Sequence, residues 1–295
     1  AYLDPEGPVV AYSWWSSTAG YGIARAARER GVPSMSRIHG YELYPEQDRL
    51  GRIPFQGPGL DGFDGVYSVS KAGADYLRDQ YPALAPRIHV AHLGVAAPPA
   101  IGGPSTDGVF RIVSCSSCIP IKRVELLASG VAELKREYPS IDFTWTHMGD
   151  GPTLASARAI VSSEAGLAER CLFTGQLPPS EVRSVLAGTS FDAFVNVSSS
   201  EGLPVTLMEA ASSGIPLIAT RIGGNPEIVD DACGRLLPAD PTPRDLATVL
   251  AQIALMSADE RAAMRAASHD RWATDFSAER NYGAFAELLG SVAAL

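Results

Sequence analysis

Two glutamates, Glu201 and Glu209, stand eight positions apart in the stretch NVSSSEGLPVTLMEAASSGIPLIATRIGGNPEIV, residues 196–229. An ionised carboxylate only accepts hydrogen bonds, so such a pair suits ligands rich in hydroxyl groups. Pro204, between them, reads as the first residue of a helix, where its fixed φ is favourable and its missing N–H costs nothing. The free amides of that first turn, from Val205 on, carry partial positive charge and suit an anion, most simply a phosphate. Phosphate and hydroxyl groups occur together in a nucleotide sugar. Any strand–helix–strand unit could carry two glutamates. The glycine pair Gly223-Gly224 and the small-residue turn before a second buried strand argue against so plain a reading.

Other residues could serve the same chemistry. Lys122 follows a strand and loop and is expected to open a helix, which would put an ammonium beside a diphosphate. By itself it reads equally as a helix-surface lysine. His39-Gly40 falls at the carboxyl end of a strand over 34–38, the edge where open α/β sheets bind ligands. By itself His39 reads as a partly buried histidine bonding backbone. Gly149-Asp150-Gly151-Pro152 also follows a strand, and glycine lets backbone approach a ligand closely. Asp150 is equally a helix cap. No Asp-x-Asp pair occurs, which gives no support to a metal-bridged diphosphate.

Elements that would position these residues are legible. Strands are expected at 9–15, 34–38, 65–70 and 87–93, and helices at 19–30 and 70–80. Gly31 ends the first helix and Ser70 caps the second. Residues 41–62 form a long Gly- and Pro-rich loop, and 96–108 a linker without periodicity. From 109 on, strands (110–115, 141–148, 171–174, 191–197, 216–219) alternate with helices (124–137, 153–165, 179–186, 204–212). Three helices, 244–256, 258–274 and 277–289, close the chain. Short Val-, Ile- and Phe-rich runs without strict alternation fit parallel strands covered on both faces. The fold class is α/β, built of doubly wound sheets.

Composition excludes several partners. The 295 residues carry a net charge of −9 and no basic run, so nucleic acid is not an expected ligand. No apolar run reaches the length of a spanning helix, about 20 residues. The four cysteines include Cys115-Ser-Ser-Cys118, which has no second close pair to complete a zinc site. They are expected to act as small apolar side chains in a reduced, cytoplasmic protein.

The run E-G-L-P-x-x-x-x-E-A, followed by S-G-I-P-L-I-A-T and G-G-N-P-E-I-V, resembles the donor-site signature of retaining glycosyltransferases of the GT-B fold, family 4. His92-Leu93-Gly94-Val95 is similar to the segment that precedes the family's linker. The flavour of SCSS–IPIKR–TWTHMGDGP resembles bacterial polysaccharide-assembly members. The resemblance implies two Rossmann-like domains facing across a cleft: an acceptor-side domain over 1–95, apparently incomplete, and a donor domain over 109–275. The linker 96–108 joins them, and a last helix, 276–295, returns to the first. It implies catalytic roles for Glu201 on the transferred sugar, Lys122 on the diphosphate and His39 on the donor sugar. Glu209 would hold the ribose, with Gly202, Leu203, Pro204, Val205, Gly149, Leu177, Gly223 and Gly224 contacting the rest of the nucleotide sugar. Leu177 would meet the base through backbone. Ser117 stands where members commonly carry an arginine. Arg123 is a poor substitute, because neighbours on a helix point about 100° apart.

The implied activity moves a sugar from a UDP- or GDP-sugar to an acceptor hydroxyl with retention, in polysaccharide or glycolipid assembly. The acceptor would be a sugar or lipid-linked sugar, with peripheral association at the inner face of a membrane as a further expectation. No metal and no permanently bound cofactor are expected. Two alternatives stay open: a truncated nucleotide-sugar-binding module completed by an N-terminal segment or second chain, and a sugar-nucleotide epimerase of the same fold.

Overall fold

The computed structural model describes residues 7–45, 48 and 51–294. The chain divides into two compact units, Ala1–Gly94 with Ala278–Leu295, and Val95–Ser277. In the first, β1 (Ala11–Ser13), β2 (Ser34–Ile38), β3 (Gly65–Ser68) and β4 (Ile88–Val90) form a parallel sheet in that order. Helices α1 (Thr18–Glu29), α2 (Gln56–Gly62) and α3 (Lys71–Gln80) connect them. Successive strand residues point to opposite faces. Ile38 and Val66 therefore pack with Ala24, Leu60, Phe63 and Leu77 on one side. Met35 and Tyr67 pack with Phe285 of the last helix, Ala278–Ala293, on the other. Both faces are covered, which is why the strands lack alternation.

β1 is shorter than the expected 9–15, since the chain turns where Ser13 Oγ donates to Trp15 O at 2.7 Å. The expected loop 41–62 contains α2, which its three glycines and a proline concealed. Ser70 caps α3 as expected, accepting from Gly73 N at 3.1 Å. The expected start of the first domain, residues 1–6, lies outside the described residues.

The second unit alternates strand and helix throughout: β5 (Phe110–Cys115), α4 (Val124–Glu137), β6 (Phe143–Met148), α5 (Leu154–Ser163), β7 (Cys171–Phe173), α6 (Pro179–Gly188), β8 (Ala193–Asn196), α7 (Val205–Ser212), β9 (Leu217–Thr220), α8 (Asn225–Ile228) and β10 (Gly234–Leu237). Two further helices follow, α9 (Pro243–Ala254) and α10 (Ala258–Asp275). The six parallel strands run β10-β9-β8-β5-β6-β7. Winding proceeds outward from β5 to β7, then resumes on the other side of β5 with β8. Loops after β5 and β8 therefore leave in opposite directions, opening the crevice where doubly wound sheets take their ligands. Fully buried Ile112, Trp145 and Val195 anchor these strands against α4, α5 and α9.

Residues 96–108 run along this unit. Ser105 donates to Asp192 through N (3.1 Å) and Oγ (2.6 Å), and Arg265 donates to Gly102 O. β10 was not expected: Gly-Arg-Leu-Leu is four residues long with a charge in it, and only pairing with β9 makes it a strand.

Candidate active site

The switch point between β5 and β8 gathers most of the residues singled out from sequence. The space above it is lined by Ser114, Ser116, Lys122, His147, Asn196 and Ser198. After β5 the chain makes a 3₁₀ turn, Pro120–Lys122, and Arg123 then adopts a left-handed conformation (φ 51°) before α4 begins at Val124. Lys122 thus closes a turn instead of opening a helix. Its Nζ donates to Glu201 Oε1 at 2.6 Å, and Asn196 Nδ2 donates to the same oxygen at 3.0 Å. Asn196 Oδ1 in turn accepts from Ser198 N at 3.0 Å. A carboxylate this enclosed is stable only when paired and hydrogen-bonded.

Arg123 has another task. Nε donates to Val197 O (2.6 Å), and Nη2 to Ser198 O and Ala239 O (both 2.9 Å). Nη1 pairs with Asp240 at 3.0 Å. These bonds tie the loop after β8 to the loop before α9. The guanidinium is spent on structure and does not replace the cation absent at the exposed Ser117.

Pro204 is the residue before the helix (φ −72°, ψ 116°), and Val205 is the first helical one, a shift of one position from expectation. No side chain caps α7, and Leu207 N donates to Pro204 O at 3.2 Å, so among the described residues the Val205 and Thr206 amides are the ones left without a bond. Gly202, Leu203 and Pro204 are buried in the connecting loop, while Val205 is exposed.

Glu209 faces the same side from within α7. It is 8% exposed. Arg183 of α6 approaches it at 3.8 Å. Burial raises the Glu209 pKa, and Arg183 opposes this by favouring the anion. Burial, with the Glu209 charge adding to it, pushes the Cys115 thiol up to about 12, so Cys115 is a thiol and no nucleophile.

The glycines brace these loops. Gly223 has φ +45°, and a Cβ there would lie 1.9 Å from Glu201 O. Gly224 N donates to Gly202 O at 3.0 Å. The Gly224 amide, expected to help hold a phosphate, is therefore occupied in holding the Glu201 loop. Gly149 makes similar contacts. Its φ is +147°, a Cβ would meet Ser116 O at 1.9 Å, and its N–H donates to Gly175 O at 2.9 Å. It locks the loops after β5, β6 and β7 together. Leu177 is half-buried, two residues before α6.

Beneath the crevice His147 is fully buried between Ser114 Oγ (2.8 Å from Nδ1) and Cys118 Sγ (3.3 Å from Nε2). Trp145 Nε1 donates to Ser114 Oγ at 2.9 Å. Burial takes the His147 pKa down to about 4, so the ring is neutral near pH 7. The four cysteines are free.

His39 belongs to the first unit. It follows β2, and its ring centroid lies 5.3 Å from that of Trp14 and 4.3 Å from that of Trp15. Glu42, 1% exposed, accepts through Oε1 from His39 N (3.0 Å) and contacts His39 Nδ1 (3.3 Å). Sequence reasoning missed Glu42, Asn196 and Arg183. Only His39-x-x-Glu42 carried a local signal, a spacing that returns the chain to the same place after a turn.

Among the described residues no cluster of His, Cys, Asp or Glu is suited to a metal ion, and no helix is long and apolar enough to cross a membrane. A hollow of about 550 Å³ at the amino-terminal end of β5, lined by Val109, Ile141, Asp142 and Arg261, lies away from the ligand edge of the sheet.

Two doubly wound parallel units of this kind make the fold that of the GT-B glycosyltransferases. Residues 110–255 match the family "Glycosyl transferases group 1", and the second unit carries the domain of that family. The solved structure of Anabaena HepE in complex with UDP superposes with a TM-score of 0.77 at 18% identity, covering 96% of this chain and 78% of that one. A phosphatidylinositol N-acetylglucosaminyltransferase component of Arabidopsis thaliana is 34% identical over 148 residues, half of this chain and 31% of that protein. The GDP-mannose-dependent alpha-(1-6)-phosphatidylinositol monomannoside mannosyltransferase of Mycolicibacterium smegmatis is 28% identical over 90% of this chain and 72% of its own length.

Proposed function

We propose that this chain binds a nucleoside diphosphate sugar at the β5–β8 crevice and transfers the sugar to an acceptor hydroxyl with retention, in glycolipid or polysaccharide assembly. The observation that carries the reading is Glu209: a nearly buried carboxylate, at the ligand edge of the sheet, whose ion-pair partner Arg183 stands off at 3.8 Å. Such a group is costly to bury until a ligand supplies donors. Ribose hydroxyls are donors of that kind, and a relative named for GDP-mannose and a solved neighbour holding UDP support a nucleotide ligand.

In this reading Glu201 accepts from hydroxyls of the transferred sugar. Lys122, already paired with it, faces the diphosphate and neutralises charge as the nucleotide leaves. The open amides from Val205 add a second, uncharged phosphate contact. Gly202 and Leu203 offer backbone, and Leu177 meets the base. The resemblance gives His39, in the first unit, a role on the donor sugar. No carboxylate is needed as a covalent nucleophile: the departing phosphate takes the acceptor proton on the same face. The transfer needs no metal in this scheme, since the cationic work falls to Lys122 and the helix start.

Thermal stabilisation by UDP-, GDP- and ADP-sugars tests the reading. At least one should raise the melting temperature, and a binding donor should yield the free nucleotide when an acceptor is supplied. No stabilisation by any of them would count against a donor site. Release of an isomerised donor without acceptor would favour an epimerase.

A further inference from the structure

We propose that Glu42 is the positioning residue of His39: it holds the imidazole with Nδ1 protonated toward its carboxylate and leaves Nε2 as the ring's unprotonated nitrogen. The assignment of the tautomer stands on geometry, and its use in transfer rests on the role given to His39 above. Glu42 Oε1 collects three groups, His39 N at 3.0 Å, His39 Nδ1 at 3.3 Å and Ser16 N at 3.4 Å. The two backbone amides can only donate, so this oxygen is an acceptor site and an unprotonated Nδ1 beside it would be repelled. Which ring nitrogen carries the proton is set by the bond the other nitrogen makes.

The backbone that carries this carboxylate is itself fixed. Gln56 Nε2 donates to Glu42 O at 2.8 Å and Leu43 O at 3.1 Å, and Tyr81 Oη donates to Gln56 Oε1 at 2.9 Å. The ring is held between Trp14 and Trp15, both about half-exposed. Among the described residues His39 Nε2 and Glu42 Oε2 are buried without a hydrogen-bond partner. A wholly structural histidine would have both nitrogens satisfied, because an unmade buried hydrogen bond is costly. The Arg37 guanidinium lies 5.2 Å from the Trp14 ring centroid and 4.1 Å from that of Phe285, and among the described residues its nitrogens have no hydrogen-bond partner.

Nitrogen-15 NMR of the labelled full chain tests this without substrate. His39 is assigned by the signal lost in His39→Gln. In the wild type its neutral form should show Nδ1 protonated, and Glu42→Leu should move the ring toward the Nε2-protonated tautomer. An Nε2-protonated ring in the wild type, or an unchanged ring in Glu42→Leu, overturns the proposal. Where Glu42→Leu does not fold, Glu42→Gln keeps the shape but lacks the charge, and should weaken the tautomer preference; an unchanged preference there also overturns it. In a transfer assay Glu42→Leu should lower kcat by about 10–100-fold, the range seen for carboxylates that orient metal-ligating histidines, with nucleotide affinity unchanged. Wild-type turnover in His39→Gln would overturn the role of His39 in transfer, a result distinct from an unchanged tautomer.

Discussion

Glu209 sits where burial and binding oppose each other. Burial raises its pKa, so the folded, unliganded chain resists the charged form. Below the ordinary carboxylate value the group is neutral in both folded and unfolded states and costs nothing. As pH rises through the raised folded value, the native state bears an enclosed charge and loses stability. Glu209→Gln should therefore melt higher than wild type at pH 7 without ligand, with the gap closing in acid. The same variant should bind nucleotide more weakly, since a hydrogen bond to a charged group is worth about 1.5–3 kcal/mol. Equal affinity in wild type and variant would remove the ribose from Glu209. Lys122 and Glu201 form a single unit of charge. Removing either should leave the other enclosed and unpaired, so the loss in Lys122→Ala with Glu201→Ala should be smaller than the sum of the two single losses. Additive losses, read by denaturant unfolding, would mean that the pair does not matter to stability.

At the scale of elements, the site is a set of loops held on one another. Gly223→Ala tests this directly. A Cβ at 1.9 Å from Glu201 O meets backbone and cannot be accommodated by a side-chain rotation, and φ +45° is itself strained for alanine. The Glu201 loop must shift, so both melting temperature and nucleotide affinity should fall, affinity by tenfold or more. A drop in stability with affinity retained would separate the glycine from the donor site. Much of this was legible in sequence: E-G-L-P-x-x-x-x-E-A placed the loop and helix, and the helix starts within one residue of expectation. The bracing was not. A glycine chosen to approach a ligand and one chosen to approach another loop have the same local signature. Gly149 lies against Ser116 and bonds Gly175, and the Gly224 amide bonds Gly202, contacts that the sequence did not show.

For the whole molecule, the chain's two ends build one unit and its middle the other. The last helix covers the face of the first sheet that carries Tyr12, Met35 and Tyr67. Deleting 278–295 should expose that face and destabilise the first unit, while the second, whose core is formed within Val95–Ser277, keeps its nucleotide affinity. Loss of nucleotide binding in that deletion, by calorimetry, would show that the donor site needs the first unit. The sequence by itself determined the α/β class, the order of nearly every strand and helix, and the carboxylates, lysine and histidine of the candidate site. Periodicity, turn residues and side-chain chemistry are local, and locality is what a sequence displays. Only the tertiary structure decided which groups meet. Lys122 and Glu201 are 79 residues apart and Arg183 and Glu209 are 26 apart, and no local pattern encodes such pairs. The stretch 196–229 carries the carboxylates, and β5, α6 and the glycine loops decide what those carboxylates are free to bind.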